Sequence, residues 1–119
     1  MTIDMPEPLD GCEGSMIRHS SNGLLYYSGV TSRDTFLRFN LTLFCSTDNG
    51  TSWHKLWTID PRPTAYSALV EMPSGDLGLF YEWAPAPPQP IFAPLETDFM
   101  LIPNPSTRCL AAAAATAHT

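Results

Sequence analysis

Residues 37–53, Leu-Arg-Phe-Asn-Leu-Thr-Leu-Phe-Cys-Ser-Thr-Asp-Asn-Gly-Thr-Ser-Trp, constrain this chain more than any other stretch. Arg38, Asn40 and Thr42 alternate with Leu37, Phe39, Leu41 and Leu43, the period of two that a pleated strand imposes. A strand with one polar and one apolar face is therefore expected from Leu37 to Cys45. Directly after it, Ser46, Asp48, Gly50, Ser52 and Trp53 fit the pattern Ser-x-Asp-x-Gly-x-Ser/Thr-Trp. In such a turn a short carboxylate accepts backbone N–H groups, glycine takes a positive φ, and the aromatic drops back into the core. A second strand is expected from Trp53 to Ile59, which makes the unit a β-hairpin with a specialised turn.

Strands extend to both sides of it. Ser15 to His19 and Leu24 to Ser28 are expected as a pair, joined at Ser20-Ser21-Asn22-Gly23, because Asn-Gly is a strong hairpin signal. Residues 29–35 form a loop, and the four strands make a meander. Asp60-Pro61-Arg62-Pro63 reads as a rigid break. Ala65 to Met72 and Leu77 to Trp83 are two further strands around the turn Pro73-Ser74-Gly75-Asp76. The class is all-β.

After Trp83 the character changes. Seven of the twelve prolines follow residue 84, and residues 111–117 are nearly all alanine. An extended or disordered tail is expected over 85–119, with no more than a weak helical turn in the alanine run. Residues 1–10 are read as an exposed lead-in without the apolar core of a signal peptide.

The chain has 119 residues, enough for one small domain, and at 44% hydrophobic and 15% charged it can bury a core. A net charge of −6 argues against nucleic acid, which wants a basic face. No run of about 18 apolar residues is present to span a membrane. Cys12, Cys45 and Cys109 are too few and too irregular for a disulfide framework or a zinc site. Cys12 and Cys45 are read as buried small hydrophobes. An odd count leaves at least one thiol free. His19, His54 and His118 make no metal spacing, and no metal or cofactor is expected.

The turn resembles the Asp box of sialidases, which joins the third and fourth strands of a propeller blade. Arg-Phe-Asn-Leu-Thr-Leu before it, Asn-Gly-Thr-Ser-Trp within it and Ala-Tyr-Ser-Ala-Leu after it are similar to the C-terminal part of lysosomal-type animal neuraminidases. Gly-Cys-Glu-Gly-Ser-Met at residues 11–16 resembles the Gly-Cys-Gln-Gly-Ser segment that opens the same region. The likeness covers roughly residues 10–84 and stops where the proline-rich tail begins. It implies a six-bladed β-propeller, of which residues 11–84 supply about one and a half blades.

The resemblance also implies roles. Arg38 matches the third arginine of the triad that grips the sialic acid carboxylate, with Arg33 a weaker rival. A guanidinium presents a planar fork to a carboxylate and stays charged at any working pH. Tyr66 matches the nucleophile, since sialidases replace one carboxylate of the usual glycosidase pair by tyrosine. Glu82 matches a glutamate that orients the first arginine of the triad, and Glu13 is rejected as the base that pairs with Tyr66. The first two arginines, the acid/base aspartate and the glutamate paired with the tyrosine belong, by the same resemblance, to sequence before residue 1. The chain alone is therefore expected to be inactive.

The function implied is that of an exo-α-sialidase, acting on glycoproteins, oligosaccharides and gangliosides in a lysosomal or endomembrane setting, with a protective-protein partner. The alternatives are a non-catalytic Asp-box module and a truncated product without activity. Asn40-Leu41-Thr42 and Asn49-Gly50-Thr51 are glycosylation sequons should the chain enter the secretory pathway, Asn49 being the more accessible.

Overall fold

A computed structural model of the chain describes residues 14–31, 39–84 and 96–117. Six strands and one helix follow in order: β1 (Ser15–Arg18), β2 (Leu25–Val30), β3 (Phe39–Ser46), β4 (His54–Glu71), β5 (Leu77–Trp83), β6 (Glu96–Ile102) and α1 (Ser106–Ala117). Each strand pairs antiparallel with the next, in the order of the sequence. The all-β expectation holds, and the sheet curls into a half-barrel.

The turns form where the sequence places them. Gly23 adopts φ 74° and its N–H donates to the His19 carbonyl at 2.9 Å, closing the β1–β2 hairpin. Gly75, at φ 90°, closes the β4–β5 hairpin with a 2.9 Å bond to the Met72 carbonyl. The two hairpin ends meet. The buried His19 ring places Nε2 2.9 Å from the Gly75 carbonyl oxygen, and the Ser20 backbone N–H donates to the Glu71 carboxylate at 2.7 Å.

The expected break at residues 60–63 does not occur. β4 runs unbroken for 18 residues, pairing with β3 as far as Pro63 and with β5 from Thr64 onward. Proline removes a donor and leaves the acceptor. The Pro63 carbonyl takes the Ala84 N–H at 2.9 Å, and the strand changes neighbour at the place where the missing donors fall. This handover folds one half of the sheet over the other. The Ser28 and Ser67 hydroxyls meet between the halves at 2.8 Å, and the Leu69 N–H donates to Ser15 Oγ at 3.0 Å. Tyr26, Leu41, Leu43, Leu77, Leu79 and Ile102 fill the space between them.

The polar face expected on β3 is closed over. Leu41, Leu43 and Cys45 face the core, and Thr42, Phe44 and Ser46 on the opposite face are buried as well. The Thr42 hydroxyl is satisfied by the Asn40 carbonyl at 3.0 Å. Asn40 itself sits at φ 61°, beside register shifts between Phe39 and Thr42 that break simple alternation.

The expectation of an unstructured tail is overturned over residues 96–117. β6 pairs in register with β5 from Leu77↔Ile102 to Trp83↔Glu96. The alanine run then forms a full 12-residue helix, alanine being the strongest helix former. Asn104 Oδ1 caps it by accepting from the Ser106 N–H at 3.0 Å and the Ser106 hydroxyl at 2.6 Å. A disulfide between Cys45 and Cys109, both fully buried, fastens α1 to β3. Cys45 is thus buried, as expected, but bonded rather than a free thiol. Two cysteines 64 residues apart carry no spacing signal, so only the fold shows the pair. Cys12 and the proline-rich residues 85–95 lie outside the described residues.

Candidate functional site

The Ser-x-Asp-x-Gly-x-Ser-Trp segment closes into one hydrogen-bonded turn between β3 and β4. Ser46 Oγ donates to Asp48 Oδ1 at 2.8 Å and accepts the Gly50 N–H at 2.9 Å. Asp48 in turn accepts the Ser52 N–H at 2.8 Å on Oδ1 and the Ser52 hydroxyl on Oδ2. Asn49 and Gly50 take φ 62° and 91°, which brings these donors round to one carboxylate. Bonds from Ser52 and Ser46 to the charged form pull the Asp48 carboxyl down to about 2. Arg18 ties this turn to the first hairpin, donating to Asn49 Oδ1 and to the Gly23 carbonyl. Trp53 is half-buried, its ring 6.2 Å from that of Tyr27 in an edge-on contact. It therefore packs on the β2 aromatic, outside the central core cluster.

Tyr66 lies two residues past the β4 handover, on the outward face, with 45% of its surface exposed. Its backbone N–H donates to Glu82 Oε1 at 3.3 Å. Register explains the meeting: Ser67 stands opposite Tyr81 and Glu82 opposite Thr97, so Tyr66, Glu82 and Thr97 project to the same side. With Phe80 and Ala68 they line an open cleft of about 290 Å³. A phenol, a carboxylate, a hydroxyl and an aromatic wall thus surround one space. The residues of the Ser-x-Asp-x-Gly-x-Ser-Trp turn lie at the other end of β4 and do not line it. Arg38 and its rival Arg33 lie outside the described residues.

Sequence reasoning missed a second constellation close by. Asp60, almost fully buried, accepts from Arg62 Nε at 2.9 Å and from Arg62 Nη2 at 2.6 Å, and the guanidinium lies 3.9 Å above the Trp83 ring. The Arg62 hydrogen bonds hold the Asp60 carboxyl below its usual range against the opposing effect of burial. Tyr81 also bonds Asp60, and burial followed by the charge of Asp60 pushes its phenol up. The signal was present: Asp and Arg two apart in a strand share a face. Treating Asp60–Pro63 as a break hid it. Among the described residues no group of three His, Cys, Asp or Glu side chains could hold a metal ion.

No family model matches the chain, and neither the curated proteins nor the solved structures contain a match to it.

Proposed function

We propose that the chain is part of an exo-α-sialidase of the tyrosine-nucleophile type, with Tyr66 as nucleophile, Arg38 as the guanidinium for the substrate carboxylate and Glu82 as the group that steadies the site. The observation that carries this reading is the juxtaposition of Tyr66 and Glu82 in one open cleft. Two others support it. The Asp-box turn makes the full set of bonds its motif calls for. The two halves of the sheet also lie face to face with β1 against the second half of β4, as the inner strands of successive propeller blades would.

The chemistry follows from the substrate. The anomeric carbon of sialic acid bears a carboxylate, so a neutral phenol approaches it with less repulsion than an anionic side chain. Attack by the Tyr66 oxygen, its proton passing to the paired glutamate, breaks the bond to the aglycone, which leaves with a proton from the acid/base aspartate as a glycosyl–tyrosine bond forms. Water, giving its proton to that aspartate, then opens this bond with net retention, and the phenol takes its proton back. The first two arginines, the acid/base aspartate and the tyrosine's glutamate partner find no counterpart in these 119 residues, so turnover by the chain alone is not expected.

The test is a chimaera in which residues 11–84 replace the corresponding segment of an active lysosomal-type neuraminidase, assayed with a fluorogenic sialoside. Hydrolysis that falls at least about a thousandfold on Tyr66→Phe is the expected result. A folded chimaera without activity would favour a non-catalytic Asp-box module. Activity that survives Tyr66→Phe rules the tyrosine out as the nucleophile.

A further inference from the structure

The sheet ends differently on its two sides. At one end β1 is folded against the second half of β4, where the Leu69 N–H reaches Ser15 Oγ at 3.0 Å. At the other end β6 has β5 beside it and, among the described elements, nothing on its outer side. Register shows which of its backbone groups are left over. In the β4–β5 hairpin the Met72 N–H donates to the Asp76 carbonyl at 2.8 Å, so Leu77, Leu79 and Tyr81 turn their backbone groups toward β6. Ile102, Met100 and Asp98 stand opposite them, and the N–H and C=O groups of Thr97, Phe99 and Leu101 point away from the sheet. The Phe99 N–H behaves accordingly: it donates to the Asp98 carboxylate at 3.0 Å. The side chains of the same three residues lie on the outer face. There the Phe99 and Phe80 ring centres are 4.6 Å apart, and Phe80, Phe99 and Leu101 are 45 to 53% exposed.

We propose that two copies of this chain associate through β6, antiparallel about a two-fold axis at Phe99, so that their sheets run on as one. An open strand edge is a template for another strand, and what selects a second copy is the match of β6 to itself. With Phe99 opposite the partner's Phe99, Thr97 falls opposite the partner's Leu101, and the outward groups of each pair exchange N–H···O=C bonds. Asp98 then faces the partner's Met100 and Glu96 the partner's Ile102, so no two carboxylates meet. Moving the axis to Asp98 sets the two Asp98 carboxylates against each other, which is destabilising. Moving it to Met100 sets Thr97 opposite the partner's Pro103, which has no N–H to give. The register at Phe99 avoids both faults. In it the exposed row of Phe80, Phe99 and Leu101 continues across the axis. Pairing moves the Phe99 N–H from Asp98 to the partner's Phe99 carbonyl, so the Asp98 carboxylate acts as a brake. The contact is one strand wide, at the small end of interface sizes, and the dimer is weak and reversible. None of this rests on the sialidase reading.

The experiment is sedimentation velocity on the whole chain from micromolar to near-millimolar concentration, with amide exchange followed by NMR at both ends of that range. A shift from monomer to dimer as concentration rises is expected. The Thr97 and Leu101 amides should exchange more slowly in the dimer, whereas those of Asp98 and Met100, already bonded to β5, are slow throughout. Thr97→Pro removes an outward donor without breaking a β5–β6 bond and keeps the chain monomeric. Asp98→Ala lifts the brake and tightens the dimer about tenfold. Phe99→Lys and Phe99→Glu each set like charges opposite at the axis and stay monomeric alone, but pair when mixed. Phe99 is 45% exposed, so these variants keep the fold, checked by circular dichroism, and they decide the matter should the proline variant lose its β spectrum. A chain monomeric at every concentration would overturn the proposal. So would a dimer that withstands Phe99→Lys, a mixture of the two charged variants that does not pair, or association that runs on past the dimer.

Discussion

Cys45 in β3 and Cys109 in α1 stand 64 residues apart in the chain and 6.0 Å apart between Cα atoms, joined by a disulfide inside the core. The bond closes a long loop, and closing such a loop in the unfolded chain removes entropy worth about 4 kcal/mol at room temperature. Replacing both cysteines by alanine, or reducing the bond, should lower the melting temperature steeply and release α1 to proteolysis. A melt identical with and without reductant would show that the link contributes nothing to stability.

Asp48 predicts a particular response to acid. Its folded-state carboxyl titrates at about 2 against an ordinary 3.8, so its contribution is fully present above the ordinary value and is lost as pH falls toward 2. Glu71, held down by the Ser20 hydroxyl and N–H, and Asp60, held down by Arg62, act in the same direction. Melting temperatures should therefore drop between about pH 4 and pH 2. Asp48→Asn should flatten part of that slope without abolishing it. An unchanged slope in the variant would count against the closed turn.

The Asp60–Arg62 pair is asymmetric. Arg62 has 47% of its side-chain surface exposed, whereas Asp60 has 4%. Arg62→Ala strands a buried carboxylate and should cost about 1 to 3 kcal/mol, read from urea denaturation midpoints. Asp60→Ala merely returns a half-exposed guanidinium to water, and Arg62→Ala with Asp60→Ala together should cost less than the two changes added. Additive losses would mean that the two side chains do not interact.

Ser28 and Ser67 hold the two halves of the sheet through a buried contact of 2.8 Å. Either alanine variant leaves the other hydroxyl buried without that partner and should cost about 1 kcal/mol. Replacing both should again fall short of the sum. A double variant that loses the full sum would argue that the halves are held by packing alone.

Much of the fold could be read because local chemistry and global structure agree. The Asn22-Gly23 turn, the Ser46–Trp53 turn and the strands on either side of them declare themselves by period and by residues that accept a positive φ. Where the reading failed, the deciding contact was distant. Pro61 and Pro63 look like a break until the Pro63 carbonyl finds Ala84 and Asp60 finds Arg62. The alanine run looks unsupported until Cys109 anchors it and Asn104 caps it. Tyr66 and Glu82 could be singled out as residues in the sequence, but the face they share with Thr97 came from the β4–β5–β6 register. The contact of Arg108 with Trp57 needed the packing of a 12-residue helix where the sequence suggested no more than a weak helical turn.

The unbroken β4 also has a mechanical meaning. Two sheet halves joined by a loop can rock against each other, because a loop absorbs rotation. In this chain the join is a strand that is hydrogen-bonded to β3 on one stretch and to β5 on the next, so the angle between the halves is fixed by the twist of a single strand. Tyr66 sits just beyond that join. Whatever enters the cleft beside it meets a shape already set, and the cost of ordering the site falls on folding rather than on binding.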